Sequence, residues 1–139
     1  LGDQLKLNTN KLIRMALVHD LAESITWDWK WETGKHSDYE KQQIKHQQEH
    51  QALKKIFGLL KKKGDKNFLL WEEFERQETP EAKALKQIEK IEMALQALLY
   101  EKTTSADFNE FFENAEKYVK DPELLKFLKH IQKMRERQK

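Results

Sequence analysis

An all-α helical bundle is the fold predicted by this 139-residue sequence, on three observations. Apolar residues recur at three- and four-residue spacing along most of the chain. Four Gly and two Pro permit long uninterrupted helices and disfavour a many-turned β sandwich. Start and stop signals divide the sequence into about six helical segments. A charged fraction of 36% beside a hydrophobic fraction of 38% would suit a disordered chain, but the helical spacing and 10% aromatic residues decide for a packed one.

The segments follow in order. Leu12 to Glu23, LIRMALVHDLAE, is apolar until its polar cluster and is placed as a buried central helix, with Asn10 as its N-cap. From about Thr26 to His36 comes a polar loop with Trp27, Trp29 and Trp31 on alternate positions, the pattern of a short extended piece. Ser37 and Glu40 have the spacing of a capping box. They open a helix that carries Ile44, Leu53, Ile56, Phe57 and Leu60, runs to about Lys63 and stops at Gly64. Phe68 to Arg76 is a short third helix capped by Asn67. Thr79-Pro80-Glu81 sets a cap, a first-turn proline and an acid before a long helix to Glu101, with Ala84, Ile88, Ile91, Leu95 and Leu98 as its stripe. Ser105 starts a fifth helix with Phe108, Phe111, Phe112 and Tyr118; Asp121-Pro122-Glu123 starts a sixth with Leu124, Leu125, Leu128 and Ile131. There is no internal repeat and no low-complexity segment.

The length suits one domain, 1–139. Lys+Arg 26 against Asp+Glu 24 leaves a net charge of +2, too little to attract a nucleic acid polymer. With no cysteine there is no disulfide framework, zinc ribbon or thiol nucleophile. No apolar run approaches the ~18 residues of a transmembrane helix and no stretch reads as a signal peptide, so no membrane partner and a cytoplasmic location are expected.

The informative segment is Met15 to Asp28. His19 and Asp20 are adjacent ionisable residues on a helix otherwise fit for burial, and Glu23 follows at i+4 and i+3, so all three can face one cleft. One reading is a His–Asp–Glu hydrogen-bond network that fixes packing; the other is a divalent metal site, because imidazole with carboxylates is a donor set such ions take. All three are expected to be at least partly buried, with Asp28 at the rim. His46 and His50, spaced i, i+4, read either as a surface zinc pair lacking a third ligand or as a solvated face. His36 lies near that helix and His130 on a basic surface. Lys61-Lys62-Lys63 suits a helix C-terminus. No Gly-rich phosphate loop and no Gly-x-Ser-x-Gly elbow is present.

At Arg14-Met-Ala-Leu-Val-His19-Asp20-Leu-Ala-Glu23, with Asp28 beyond it, the chain resembles the HD-domain metal-dependent phosphohydrolases, specifically their 5′-deoxynucleotidase branch. Leu70-Trp71-Glu72-Glu73-Phe74 and Pro80-Glu81-Ala82-Lys83 are similar to the segment before that branch's fourth helix. Lys86 to Met93, Gln96-Ala97 and Tyr100-Glu101 resemble the helix bearing its last metal ligand, and Phe111 to Leu125 resembles its tail. The likeness therefore covers nearly the whole chain.

The resemblance implies an HD-domain bundle that removes phosphate from (deoxy)nucleoside 5′-monophosphates. It implies a divalent metal ion (Mn2+, Co2+ or Mg2+), a nucleotide substrate and a homodimer. Carried over residue by residue, His19 and Asp20 are metal ligands, Glu23 orients or deprotonates the water, and Asp28 approaches the sugar or the leaving oxygen. The last ligand falls on Glu89, where the family has Asp. Glu is one methylene longer, roughly 1.5 Å of reach, and is expected to point at His19 and Asp20. Trp27 stands where the family often has Gly. The family's first ligating His lies on a helix that should precede Leu1, and Leu1-Gly2-Asp3 looks like the end of it, so the chain is expected to be N-terminally incomplete, with Leu12, Met15 and Ala16 left exposed. Two competing readings are a catalytically impaired HD-fold dimer or binding module, and an HD hydrolase of another phosphorylated nucleotide.

Overall fold

Six helices account for most of the residues that the computed structural model describes, 2–26, 39–60 and 62–137: α1 (Thr9–Thr26), α2 (Tyr39–Gly58), α3 (Lys62–Arg76), α4 (Pro80–Glu101), α5 (Asn109–Tyr118) and α6 (Pro122–Glu136). Among the described residues there is no strand, as the spacing predicts. They fall into two compact units, Thr9–Thr79 and Leu1–Asn8 with Pro80–Lys139.

In the first unit α1, α2 and α3 pack on one another. Val18 and Ala22 of α1, Leu53 and Phe57 of α2 and Trp71 of α3 form the core, with Phe68 against it. The expectation of a wholly buried helix at 12–23 is corrected. Leu12, Met15, Val18 and Ala22 are buried, whereas Ile13, Leu17 and Leu21, at i, i+4 and i+8, are 54%, 64% and 38% exposed. Of the three residues expected to be uncovered, Leu12 and Met15 are buried instead, so the exposed apolar stripe lies on the opposite side of the helix.

Three boundary residues also act differently from their sequence reading. Asn10 lies inside α1, which starts at Thr9. Gly64 does not end α2: that helix stops at Gly58, and Gly64 sits in the first turn of α3. A Cβ at Gly64 would lie 1.7 Å from the Phe57 carbonyl oxygen, so glycine permits the close approach of the two chain segments there. Asn67 is likewise inside α3, where its Oδ1 accepts a hydrogen bond from Arg14 Nη2 at 3.0 Å and ties α3 to α1. Lys11 reinforces this pairing through an ion pair with Glu73 at 2.6 Å. Gln77 ends α3 in the left-handed region at φ 51°, its backbone N–H donating to the Phe74 carbonyl at 3.1 Å. The Ser37–Glu40 capping box and the tryptophans at 27, 29 and 31 lie outside the described residues.

In the second unit α4 carries α5 and α6. Its core joins Ile91, Ala94, Ala97 and Leu98 to Phe112, Ala115, Val119, Leu124, Leu128 and Ile131, and Leu5 packs against it from the N-terminal turns. Asp121 caps α6 as predicted: its Oδ1 accepts from the Glu123 and Leu124 backbone N–H groups at 2.8 and 3.1 Å, with Pro122 at the first turn. Gln87 Oε1 accepts from the backbone N–H groups of Lys120 and Asp121 at 2.7 and 2.9 Å, fixing the α5–α6 turn to α4. The fifth helix begins at Asn109, not Ser105, and Asp107 Oδ1 accepts from the Asn109 backbone N–H at 2.9 Å. Arg135 Nε and Nη2 both donate to Glu101, and the guanidinium lies 3.9 Å from the Phe112 ring centre. The hydrogen bond to Glu101 holds the Arg135 guanidinium above its ordinary range, against the opposing effect of burial.

Candidate metal centre

His19 owes its place to the buried side of α1. It follows Val18 and lies one turn beyond Met15 and one before Ala22, so the helical period turns its ring inward. The residue is only 8% exposed, and its ring meets Phe74 of α3 at 4.3 Å between centroids, tilted by 60°. Asp20, one residue on, is rotated ~100° around the helix and its side chain is 78% exposed. Glu23 stands one turn below His19 with its side chain 45% exposed. The expectation that all three be partly buried therefore fails at Asp20, which the step around the helix carries off the buried stripe into solvent. What forms is an edge site, with one buried imidazole and two carboxylates reaching it from solvent.

The separations bear on the two readings of the triad. His19 Nδ1 is 3.8 Å from Asp20 Oδ1, and His19 Nε2 is 3.7 Å from Glu23 Oε1. Both exceed hydrogen-bond length, so the three side chains are not tied to one another as a packing network. One ligand atom from each lies within 4.8 Å of the others. Two donors on a single ion at ~2.0–2.2 Å stand roughly 3–3.5 Å apart; the two contacts start from different ring nitrogens, so one ion can use only one of them and the other carboxylate must close in from up to 4.8 Å. One nitrogen and two oxygen donors thus fit a divalent metal ion with that side-chain adjustment.

Two further residues were predicted for the site. Asp28 lies outside the described residues. Glu89 belongs to α4 in the other unit, where its Oε2 stands 3.3 Å from Lys86 Nζ and its Oε1 is buried.

The sequence reading missed a second polar group in the first unit. His46 Nδ1 lies 3.0 Å from Glu75 Oε2, and His50 Nε2 lies 3.8 Å from Glu72 Oε1, so the histidine pair does meet carboxylates. The signal was the i, i+3 spacing of Glu72 and Glu75 on the face of α3 that bears Trp71. Glu49 between the two histidines is also buried, a charged position nothing in its neighbourhood singled out.

Against known proteins, the sequence model described as HD domain matches residues 1–131. The chain is 36% identical over 136 residues to 5′-deoxynucleotidase HDDC2 of Danio rerio, covering 96% of this chain and 66% of that one. It is 34% identical over 130 residues to 5′-deoxynucleotidase HDDC2 of Mus musculus, covering 91% and 63%. A third similar protein, 5′-deoxynucleotidase HDDC2 of Dictyostelium discoideum, is 40% identical over 101 residues, which are 72% of this chain and 50% of that one. The chain thus spans somewhat less than two thirds of the length of the curated relatives it matches.

Proposed function

This chain belongs to the HD-domain family, and on that premise we propose that it is a metal-dependent phosphohydrolase that removes phosphate from deoxynucleoside 5′-monophosphates. The observation that carries the proposal is the convergence of His19, Asp20 and Glu23 on one edge of α1, unbonded to each other and spaced for an ion. In this reading His19 and Asp20 hold the metal, and Glu89 is assigned a further oxygen ligand's role on the family resemblance alone. The mixed nitrogen and oxygen donors suit Mn2+ or Co2+ better than Mg2+. Such an ion supplies positive charge to the phosphate oxygens and makes a nearby water more acidic.

This chain's own groups do the rest. Phe74 against the His19 ring fixes its direction, so one nitrogen is presented without a search over rotamers. The Glu23 carboxylate, half exposed, is placed to accept a proton from the attacking water. As the new P–O bond forms the bond to the 5′ oxygen breaks, and that oxygen takes a proton to leave as the nucleoside hydroxyl. Asp28 serves the sugar or this leaving oxygen. Residues 1–139 act as one HD domain in this reading, supported by a family match that runs through both units. A homodimer in the cytoplasm completes it, on the family resemblance alone.

One observation favours the impaired-member reading: Lys86 lies beside Glu89 and competes with a metal for its carboxylate. The deciding experiment is phosphate release by the full-length protein from matched deoxy- and ribonucleoside 5′-monophosphates with Mn2+, Co2+ or Mg2+. Preferential release from the deoxy series is expected; no release with any ion would refute a catalytic role.

A further inference from the structure

Between α2 and α3 two histidines meet two glutamates that the phosphohydrolase reading does not use. His46 and His50 are i, i+4 on α2, the spacing at which two imidazoles on one helix face can reach a single metal ion. Glu72 and Glu75 are i, i+3 on α3. The His46–Glu75 contact at 3.0 Å is a hydrogen bond that a bound ion would replace, and the His50–Glu72 separation of 3.8 Å is near the ~3.4 Å expected between two donors of a tetrahedral ion. The imidazoles are seated by aromatic contacts. His46 stacks on Trp71 at 5.2 Å and 17°, and His50 meets the Phe68 ring edge-on at 5.1 Å and 74°. Trp71 is completely buried, so the floor under both rings is fixed. The competing cation is Arg76, 3.6 Å from Glu72, in a pair whose arginine is largely in solvent and therefore weak.

We propose that His46 and His50, with Glu72 or Glu75 as third ligand, form a second metal site that takes a Zn2+-class ion and joins α2 to α3. Two imidazoles with one carboxylate select a borderline transition ion over Mg2+ or Ca2+. Among the described residues three donors already lie within 4.8 Å of one another at His19, Asp20 and Glu23. At His46, His50, Glu72 and Glu75 no three donors lie that close, so the third donor must be drawn in by side-chain rotation as the ion binds. The site is independent of the proposed chemistry at His19: its ion bridges two helices of one unit and stabilises their packing.

The test is a Zn2+ titration of the full chain, read as bound metal per chain and as the shift in thermal midpoint followed by far-UV circular dichroism. His46→Gln/His50→Gln is expected to bind one equivalent fewer than the unsubstituted protein. The Zn2+-dependent rise in midpoint should persist in Asp20→Ala and shrink in the double histidine variant. Should that variant fail to fold, Glu72→Gln/Glu75→Gln keeps both rings on Trp71 and should weaken Zn2+ binding at this site by at least about tenfold. Unchanged stoichiometry and midpoint shift in either double variant would overturn the proposal, whatever the outcome for nucleotide hydrolysis.

Discussion

The α4–α6 unit and the α1–α3 unit are built from the same element, yet only the second gathers an imidazole and two carboxylates at one helix edge. In α4–α6 the sheltered polar groups close on partners: Asp121 on the first turn of α6, Gln87 on the α5–α6 turn, Arg135 on Glu101. These bonds are what a structural polar group requires. In α1–α3 interhelix pairs such as Arg14–Asn67 form as well, but the buried imidazole of His19 also has two carboxylates of its own helix 3.7–3.8 Å from its ring nitrogens. A buried imidazole with two carboxylates within 4 Å of its ring is the place to look for a cation.

That contrast can be broken most severely at Asp20. Asp20→Ala should reduce phosphate release to background while circular dichroism stays unchanged, because it removes a ligand and no core volume. Glu23→Gln should keep the metal and slow turnover by ~10²–10⁴-fold, as for loss of a general base; undiminished turnover would remove Glu23 from that role. At Glu101 and Asp121 of the other unit the effects should be on stability alone. Glu101→Gln leaves the largely buried Arg135 with a neutral partner and should cost about 1–3 kcal/mol in chemical denaturation, with turnover unaffected. Arg135 has its folded value raised, so its contribution is present below the ordinary guanidinium range and lost only as pH rises through the raised value. The difference should therefore be flat between about pH 6 and about pH 9. Asp121→Ala removes two accepted hydrogen bonds at the start of α6 and should cost ~1 kcal/mol. The smallest effect is expected at Glu89→Asp, which should raise metal affinity or leave it unchanged; weaker binding would make the longer acid the adapted ligand.

Local chemistry was legible in the sequence wherever one short segment contained both partners. Asp121-Pro122-Glu123 carries a cap, a proline and the N–H groups to be capped, and the structure places them so. Gly64 and Asn67 were misread because their partners, Phe57 across a helix crossing and Arg14 53 positions earlier, are fixed by packing. The grouping of His19, Asp20 and Glu23 followed from their spacing on one helix. The degree of exposure of Asp20 did not, since it depends on which stripe of an all-round apolar helix turns inward. With α2 read too long and α3 too short, the register that sets Glu72 and Glu75 against His50 and His46 was out of reach.

The uncovered stripe of Ile13, Leu17 and Leu21 has a practical consequence for how folding is followed. Dyes such as ANS brighten on contiguous apolar surface, and their signal is commonly taken to mean that packing has loosened. Here the native state itself presents three aliphatic side chains in a row, so fluorescence should begin high and rise little on heating. A dye-based melt would flatten, and a stabilising ion could be scored as inert. Backbone circular dichroism is blind to that stripe and keeps the transition visible.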